Sequence, residues 1–378
     1  MPRVLIAPNA FKGSLSAGAA ARLIARGLRR VLPGVRLDLM PVSDGGDGLM
    51  EVLLARVGGL RVFRPALDAL GRPGRVPFAL LDDGSAVVEM ARASGIARLG
   101  GAKLDPLGAT SFGTGQLIGA ALRRLGGRRG SLLVVGMGGS ASSDGGAGMA
   151  QALGARLLDP GGRDLPRGAE ALLRLERIDA SPLRGLLGGA RVLGVSDVIN
   201  PLLGPKGSAR VYGPQKGAGP AQVRLLEKAL LRYARILRRD LGVEAGSLPG
   251  GGAAGGLGAG LGAFLGARLQ PGAAWVLERL DARRRIREAD LVVTGEGRLD
   301  AQSFYGKAPL ELAAMAAREG KPVVLVCGSA DPAVIPRLRR LGAKVETLLG
   351  PGESVKACMA RTPRRLERLG GALARGLQ

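Results

Sequence analysis

Three glycine-rich loops in this chain carry acidic side chains, and each follows or ends a short apolar run. They cover residues 43–48 (Ser-Asp-Gly-Gly-Asp-Gly), 136–146 and 294–300. Short apolar runs bounded by such loops are typical of buried strands in α/β proteins. Backbone N–H groups and carboxylates in loops of this kind can hold a phosphate and its metal ion. The loops therefore predict an α/β fold that carries out phosphoryl transfer.

Strand and helix signals alternate at the two ends of the chain. Strands are predicted at 4–7 and 37–42 and again at 291–294, 323–327 and 345–348, each followed by a helical stretch. This alternation predicts one doubly wound parallel sheet, whose ligands would bind beyond the carboxyl ends of the strands.

The middle of the chain has a different pattern. Short β-like runs over 61–90 are separated by Gly, Pro and Asp turn signals, which predicts an antiparallel meander. Further strands (132–135, 191–195) and helices (114–124, 148–154, 221–240) are predicted after it. We therefore expect two unlike α/β domains around a cleft. The parallel domain would comprise 1–60 and 255–378, and a mixed α/β insert 61–254.

The chain is strongly basic, with a net charge of +24 over 378 residues. Its arginine clusters lie mostly at predicted helix ends, where cations favour the helix dipole and face water. Aromatic residues make up only 3%, too few for the stacking platforms of single-strand binders. Solvated surface charge is the favoured interpretation, and a nucleic-acid-binding protein is the alternative from a different class.

The absence of histidine excludes Ser-His-Asp hydrolysis, phosphohistidine chemistry and His-based zinc sites. The chain has no GxxxxGK[ST] loop, and Gly250 to Gly255 follow no apolar strand, so a dinucleotide site there is discounted. Cys327 is expected to be a buried thiol. The uncharged stretch 245–267 is expected to form a closely packed Gly/Ala helix, in a protein without membrane spans that resides in the cytoplasm.

Several charged loop residues are candidates for the chemistry. Asp44 and Asp47 could orient an acceptor hydroxyl or bind Mg²⁺, or they could only cap the next helix; the same choice applies to Asp144. Asp197, with Asn200 close behind it, is a candidate metal or substrate ligand.

For Glu296 and Asp300, as for the acidic residues above, a metal- or substrate-binding role and a purely structural role are both open. Lys12 and Lys216 are candidate phosphate or carboxylate clamps in a chain with only nine lysines, although both could be solvated surface residues. Lys307 stands at a predicted helix start, a poor place for a cation, so a bound anion is expected beside it. Glu89 interrupts an apolar run and should have a partner.

Taken together and in this order, these motifs resemble the type-1 glycerate kinases along nearly the whole chain. The matching stretches are 7–14, 43–48, 110–115, 138–148, 197–204, 213–217 and 294–307. The resemblance implies ATP-dependent phosphorylation of D-glycerate, most often at the 2-hydroxyl, with no nucleic acid or membrane as partner. The alternative within the same class is a kinase of another small hydroxy acid. Whether the protein forms a homo-oligomer stays open.

For this activity our hypothesis is a direct in-line transfer in which individual residues have separate roles. Asp44 would accept or orient the hydroxyl proton, while Lys12 and Lys216 stabilise the transferred group. Mg²⁺ would be held by Asp197 or Glu296, with Asp300 as a further ligand. The remaining substrate- and phosphate-binding candidates are Ser14, Asp47, Gly138, Gly139, Ser140, Asp144, Asn200, Gln215 and Lys307.

Overall fold

The computed structural model describes residues 1–304 and 306–377. In chain order the strands are β1 (Arg3–Pro8), β2 (Arg36–Leu39), β3 (Gly59–Leu67), β4 (Pro73–Leu81), β5 (Ala86–Glu89), β6 (Leu132–Gly136), β7 (Arg156–Leu158), β8 (Arg177–Asp179), β9 (Arg191–Val195), β10 (Arg268–Gln270), β11 (Leu291–Leu299), β12 (Val323–Ala330) and β13 (Ala343–Thr347). The helices are α1 (Ala17–Val31), α2 (Leu49–Val57), α3 (Ala91–Ser94), α4 (Phe112–Leu125), α5 (Ala147–Leu153), α6 (Ser208–Tyr212), α7 (Pro220–Leu241), α8 (Ala253–Leu265), α9 (Gly272–Arg279), α10 (Ala282–Glu288), α11 (Ala308–Arg318), α12 (Ile335–Arg340) and α13 (Val355–Arg375).

Contacts within the chain divide it into two compact units. The first unit comprises Met1–Asp44 and Gly272–Gln378, and the second is Gly45–Pro271. The predicted division lay sixteen or seventeen residues inside these limits, at 60/61 and 254/255. The difference has a packing cause: α2 contacts β4 and β5, and α8 contacts α5 and β9, so both helices belong to the second unit.

The first unit is built on a parallel sheet with strand order β13-β12-β11-β1-β2 among the described residues. Two early strands and three late ones meet in it, which confirms the predicted α/β sheet. Its central strands are continuous apolar runs because helices cover both faces. The strand predicted to end at Thr294 continues to Leu299, because Arg298 and Leu299 still pair with β12.

Helices α1 and α13 of the first unit pack against each other through glycines. A Cβ on Gly27 would lie 1.9 Å from the Glu367 carbonyl oxygen, and one on Gly370 would lie 2.2 Å from that of Ile24. The two backbones therefore approach more closely than any larger residue would permit. Ser16 fixes the start of α1 by accepting a hydrogen bond from Ala19 N.

The second unit contains a mixed sheet with strand order β10-β9-β6-β5-β4-β3. Strands β3, β4 and β5 are antiparallel neighbours, so the meander predicted over 61–90 is confirmed. The remaining pairs, from β5 to β10, are parallel. Strands β7 and β8 form a separate antiparallel pair.

Helix α8 comes from the uncharged stretch noted in the sequence. A Cβ on Gly260 would lie 2.7 Å from the Gly145 carbonyl oxygen, so α8 packs closely against a neighbouring loop, as predicted. Over the part of the chain that the structure describes, the helices lack the length and apolar character needed to cross a membrane.

Candidate active site

Asp44 lies beyond the carboxyl ends of β1 and β2 in the first unit. The backbone leads there in an extended path, in which Val42 N donates to the Pro8 carbonyl at 3.0 Å. The Asp44 carboxylate accepts a hydrogen bond from Ala308 N, the first residue of α11, at 2.9 Å. This N–H lacks a partner within its own helix, and the positive end of the helix dipole stabilises a carboxylate there. Asp44 is thus held in place while remaining partly exposed.

Glu296 lies on the same edge of the sheet and is almost fully buried. Lys307 Nζ lies 3.2 Å from its Oε2 atom, and Ser303 Oγ donates to Oε1 at 3.1 Å. Burial raises the pKa of Glu296 to about 7 against the lowering effect of Lys307, and the charge of Asp44 adds to the rise. Lys307 therefore has an acidic partner within the chain, and the bound anion expected beside it stays a prediction.

A pocket of about 250 Å³ opens in the first unit beside this cluster. Lys12, Ser14 and Asp300 line it together with Glu296 and Lys307, so the structure brings these five predicted residues together. Lys12 is exposed. Ser14 Oγ donates to the Met359 carbonyl at 2.9 Å, and Asp300 faces Arg298 at 3.6 Å.

The second unit contains the other group of predicted residues, centred on the loop after β6. Lys216 is 2% exposed, and its Nζ donates to Ser140 Oγ at 2.8 Å and to the Ser142 carbonyl at 2.5 Å. Burial lowers the pKa of Lys216 to about 7, and the negative charge of Asp144 opposes the change. The buried Lys216 side chain therefore holds this loop in place through its hydrogen bonds to Ser140 and Ser142.

Asp144 is 1% exposed and fixes the same loop. Its carboxylate accepts hydrogen bonds from Ser111 N at 2.7 Å, Ser111 Oγ at 3.0 Å and Thr110 Oγ1 at 3.2 Å. The N–H groups of Gly146 and Gly148 also donate to it, each at 3.2 Å. These bonds tie the loop to the starts of α4 and α5, and they leave the ligand role expected of Asp144 as a prediction.

The loops at 43–48 and 136–146 contact each other through their glycines in the second unit. A Cβ on Gly46 would lie 3.4 Å from Gly138 Cα, and one on Gly139 would lie 3.3 Å from an Asp47 carboxylate oxygen. Bare backbone at Gly138 and Gly139 thus lies beside the Asp47 side chain, which is exposed. N–H groups accessible in this way are the kind that bind phosphate oxygens.

The remaining predicted residues follow β9. Asp197 is half-buried after the strand. The Asn200 amide is engaged on both sides: its nitrogen donates to the Lys206 carbonyl and its oxygen accepts from Tyr212 Oη, each at 2.8 Å. Gln215 is exposed on the 3-10 turn Pro214–Lys216.

Two residues outside the predicted site support its loops. The first is Glu89, which was expected to have a partner. Its carboxylate accepts from Met50 N and from Arg92 Nε, both at 2.7 Å, which ties the start of α2 to the sheet. Gly255, from the discounted glycine run, packs behind the loop at 136–146: its Cβ would lie 1.9 Å from the Ser142 carbonyl oxygen. The scarcity of bulky residues around 250–256 was the only sequence signal for this contact.

The described residues contain no group of three or more His, Cys, Asp or Glu side chains arranged to hold a metal ion. Mg²⁺ usually binds proteins through one or two carboxylates plus substrate phosphates. Glu296 and Asp300 line the same pocket, and their carboxylate oxygens are donors of the type that such a cation takes.

Comparison with known proteins identifies the family of this chain. The family model described as the glycerate kinase family matches residues 4–378. The chain is 43% identical to the glycerate kinase of Halalkalibacterium halodurans over 87% of this chain and 86% of that protein. It is 41% identical to the glycerate 2-kinase of Escherichia coli strain K12 over 86% of this chain and 85% of that protein.

A solved structure extends the similarity to the fold. The crystal structure of a candidate glycerate kinase 2 from Salmonella typhimurium LT2 matches with a TM-score of 0.84 at 39% sequence identity, covering 100% of this chain and 98% of that one. The family resemblance and the α/β fold predicted from the sequence are both confirmed, and the chain belongs to the glycerate kinase family.

Proposed function

We propose that the chain transfers the terminal phosphoryl group of ATP directly to D-glycerate, with 2-phosphoglycerate as the favoured product. The observation that carries this proposal is the position of Asp44. Its carboxylate is fixed by Ala308 N at the edge of the sheet that also holds Glu296, Lys307 and the pocket with Lys12. The family membership supports glycerate as acceptor, and the name of the Escherichia coli relative supports the 2-hydroxyl.

Asp44 is the proposed acceptor of the hydroxyl proton. The chain has no histidine, so a carboxylate is the available side chain that is ionised at neutral pH and can accept a proton there. The hydrogen bond from Ala308 N fixes the orientation of the Asp44 carboxylate. A fixed orientation contributes to catalysis because phosphoryl transfer depends mainly on positioning and electrostatic stabilisation.

Lys12 is the proposed contact to the transferred group. It is exposed at the pocket beside the Glu296–Lys307 pair, whereas Lys216 is buried. We therefore propose different roles for the two predicted clamps. Lys12 stabilises negative charge on the phosphoryl group directly, and Lys216 holds Ser140 and Ser142 so that Gly138 and Gly139 present their backbone.

Glu296 is the proposed Mg²⁺ ligand in the first unit, with Asp300 beside it and Asp197 as the candidate in the second. When bound, Mg²⁺ would neutralise charge on the ATP phosphates. Lys307 holds the Glu296 carboxylate at 3.2 Å and so fixes the orientation of the oxygens that would face the metal ion.

The proposal is tested by ³¹P NMR of the enzyme mixed with Mg-ATP and D-glycerate. The expected result is the signal of 2-phosphoglycerate. A 3-phosphoglycerate signal would keep the kinase activity and overturn the proposed position of transfer. Folded protein that gives neither product would overturn D-glycerate as the acceptor, and other small hydroxy acids would then be tested in the same assay.

A further inference from the structure

The pocket in the first unit has walls of two different kinds. The charged side chains of Lys12, Glu296 and Lys307 line it. The apolar side chains of Leu349, Val355 and Met359 line it as well. The pocket therefore offers both cationic and apolar contacts to a ligand.

The apolar wall is formed mainly by α13. Cys358 and Met359 follow Val355 by three and four residues, about one helical turn, and all three line the pocket. Cys358 is 3% exposed and belongs to the hydrophobic core of the unit. Helix α13 is itself held against α1 by the close contact at Gly27 and Gly370, so this wall is part of the packed fold.

Two glycines also line the pocket. Gly297 and Gly328 lie on neighbouring strands β11 and β12, and a Cβ on Gly328 would lie 2.5 Å from the Gly297 carbonyl oxygen. A Cβ on Gly297 would lie 3.3 Å from Lys12 N. These two positions therefore contribute only backbone to the pocket lining.

The chemistry of the lining distinguishes the two substrates of the proposed reaction. D-glycerate carries an oxygen on each of its three carbons, so an apolar wall offers it nothing. A nucleotide combines a flat heteroaromatic base with a chain of phosphates, which matches a pocket that offers both apolar and cationic contacts.

We propose that this pocket binds the nucleoside part of the phosphoryl donor, with the base against Val355, Cys358 and Met359 and the phosphates towards Lys12. This assignment rests on the proposed function, since it presumes a nucleotide donor. It places the nucleotide base in the first unit, at the carboxyl ends of β11 and β12, and makes α13 the element that recognises it.

The test measures binding of two probes to the full chain by isothermal titration calorimetry in buffer with Mg²⁺. One probe is the non-hydrolysable ATP analogue AMP-PNP, and the other is inorganic tripolyphosphate, which lacks a nucleoside. The variant is Val355→Glu, which places a carboxylate on the apolar wall. Val355 is 60% exposed, so the fold should tolerate the change. The matched control is Leu231→Glu, an exposed apolar position on α7 in the second unit.

Val355→Glu is expected to weaken AMP-PNP binding about tenfold or more, and tripolyphosphate binding less than about threefold. Leu231→Glu should leave both affinities within about twofold of the unchanged protein. Unchanged AMP-PNP binding in Val355→Glu would overturn the proposal. An equal loss for both probes would also overturn it, because the substitution would then act only on the phosphates. The proposal would also be overturned if the unchanged protein failed to bind AMP-PNP.

These readouts do not depend on turnover of glycerate. If the protein gives no phosphorylated D-glycerate but shows the expected pattern with the two probes, the acceptor is wrong and the nucleoside pocket stands. If 2-phosphoglycerate forms and Val355→Glu binds AMP-PNP normally, the kinase proposal stands and the pocket assignment fails.

Discussion

Lys307 Nζ lies 3.2 Å from Glu296 Oε2, and this ion pair places a cation at the N-terminal cap of α11. A positive charge there opposes the helix dipole. The Glu296 side chain is 8% exposed and the Lys307 side chain 26%, so the pair is largely removed from water. Each charge compensates the other, and the negative charge of the neighbouring Asp44 carboxylate adds to the rise in the pKa of Glu296.

Removing Lys307 alone should therefore be worse than removing both charges. Lys307→Met is expected to lower the free energy of unfolding by roughly 1–3 kcal/mol at pH 8, because Glu296 is left buried beside Asp44 without a counter-charge. The double variant Glu296→Gln with Lys307→Met should lose less than Lys307→Met alone. Urea unfolding of the wild type, both single variants and the double variant measures this. Losses that simply add would mean that the two side chains do not interact.

Asp44→Asn should reduce kcat by about 100-fold or more if Asp44 accepts the hydroxyl proton. The amide oxygen of asparagine can still accept from Ala308 N, so the melting temperature should change little. Asp331→Asn is the matched control, since Asp331 also accepts from a backbone N–H at a helical turn, that of Ala333, in the same unit. Near-normal turnover of Asp44→Asn would exclude it as the base, whatever the control does.

Lys216 should make stability depend on pH above neutrality. Its pKa is about 7 in the folded chain, against the 10.5 that is usual for a lysine in water. Between these two values the unfolded chain binds a proton that the folded chain does not, so the free energy of unfolding should gain up to about 1.4 kcal/mol per pH unit from this lysine as the pH rises. The measurement is urea unfolding of the wild type and Lys216→Met at pH 7.5 and 9, because other titrating groups cancel in the difference. A difference that stays constant would contradict the lowered pKa.

Gly255→Ala should destabilise the second unit through a direct clash. The added methyl would lie 1.9 Å from the Ser142 carbonyl oxygen, at a φ of +74°. Gly242→Ala is the matched control, with a φ of +71° and no atom within 4 Å of the new methyl. The control should cost about 1 kcal/mol for its left-handed backbone, and Gly255→Ala roughly 1–3 kcal/mol more. Equal losses in chemical unfolding would mean that the loop at 136–146 moves freely away from Gly255.

The sequence was most informative where one residue type serves one local purpose. Apolar runs located the strands of the first sheet and β6 and β9 of the second, because buried parallel strands need them, and turn residues located the β3–β5 meander. Strand β10 was not predicted. Asp44 and Lys12 could be selected as candidates because a carboxylate and a lysine in a glycine-rich loop are unusual. The start of α11 directly after Lys307 was also predictable, since Pro309 is tolerated within the first helical turn.

Burial could not be predicted from the same residues. Lys12 and Lys216 both occur in glycine-containing loops, yet Lys12 is exposed and Lys216 is buried, with 2% of its surface exposed. What separates them is the packing of the segment containing Gly255 against Ser142 and Lys216, which joins residues far apart in the chain. The domain limits were misplaced for a related reason: α2 and α8 have ordinary apolar faces, and only tertiary contacts decide which sheet each covers.

The first unit is built from both ends of the chain, and this determines which unit can fold first during synthesis. Strand β1 pairs with β11, whose residues follow the entire second unit in the chain. The second unit is continuous and can fold as soon as it has left the ribosome. Strands β1 and β2 and helix α1 must wait for it with their apolar faces uncovered. A nascent chain that stops before α13 would lack the partner of α1, so chaperone contacts of this enzyme should concentrate on its first forty-four residues.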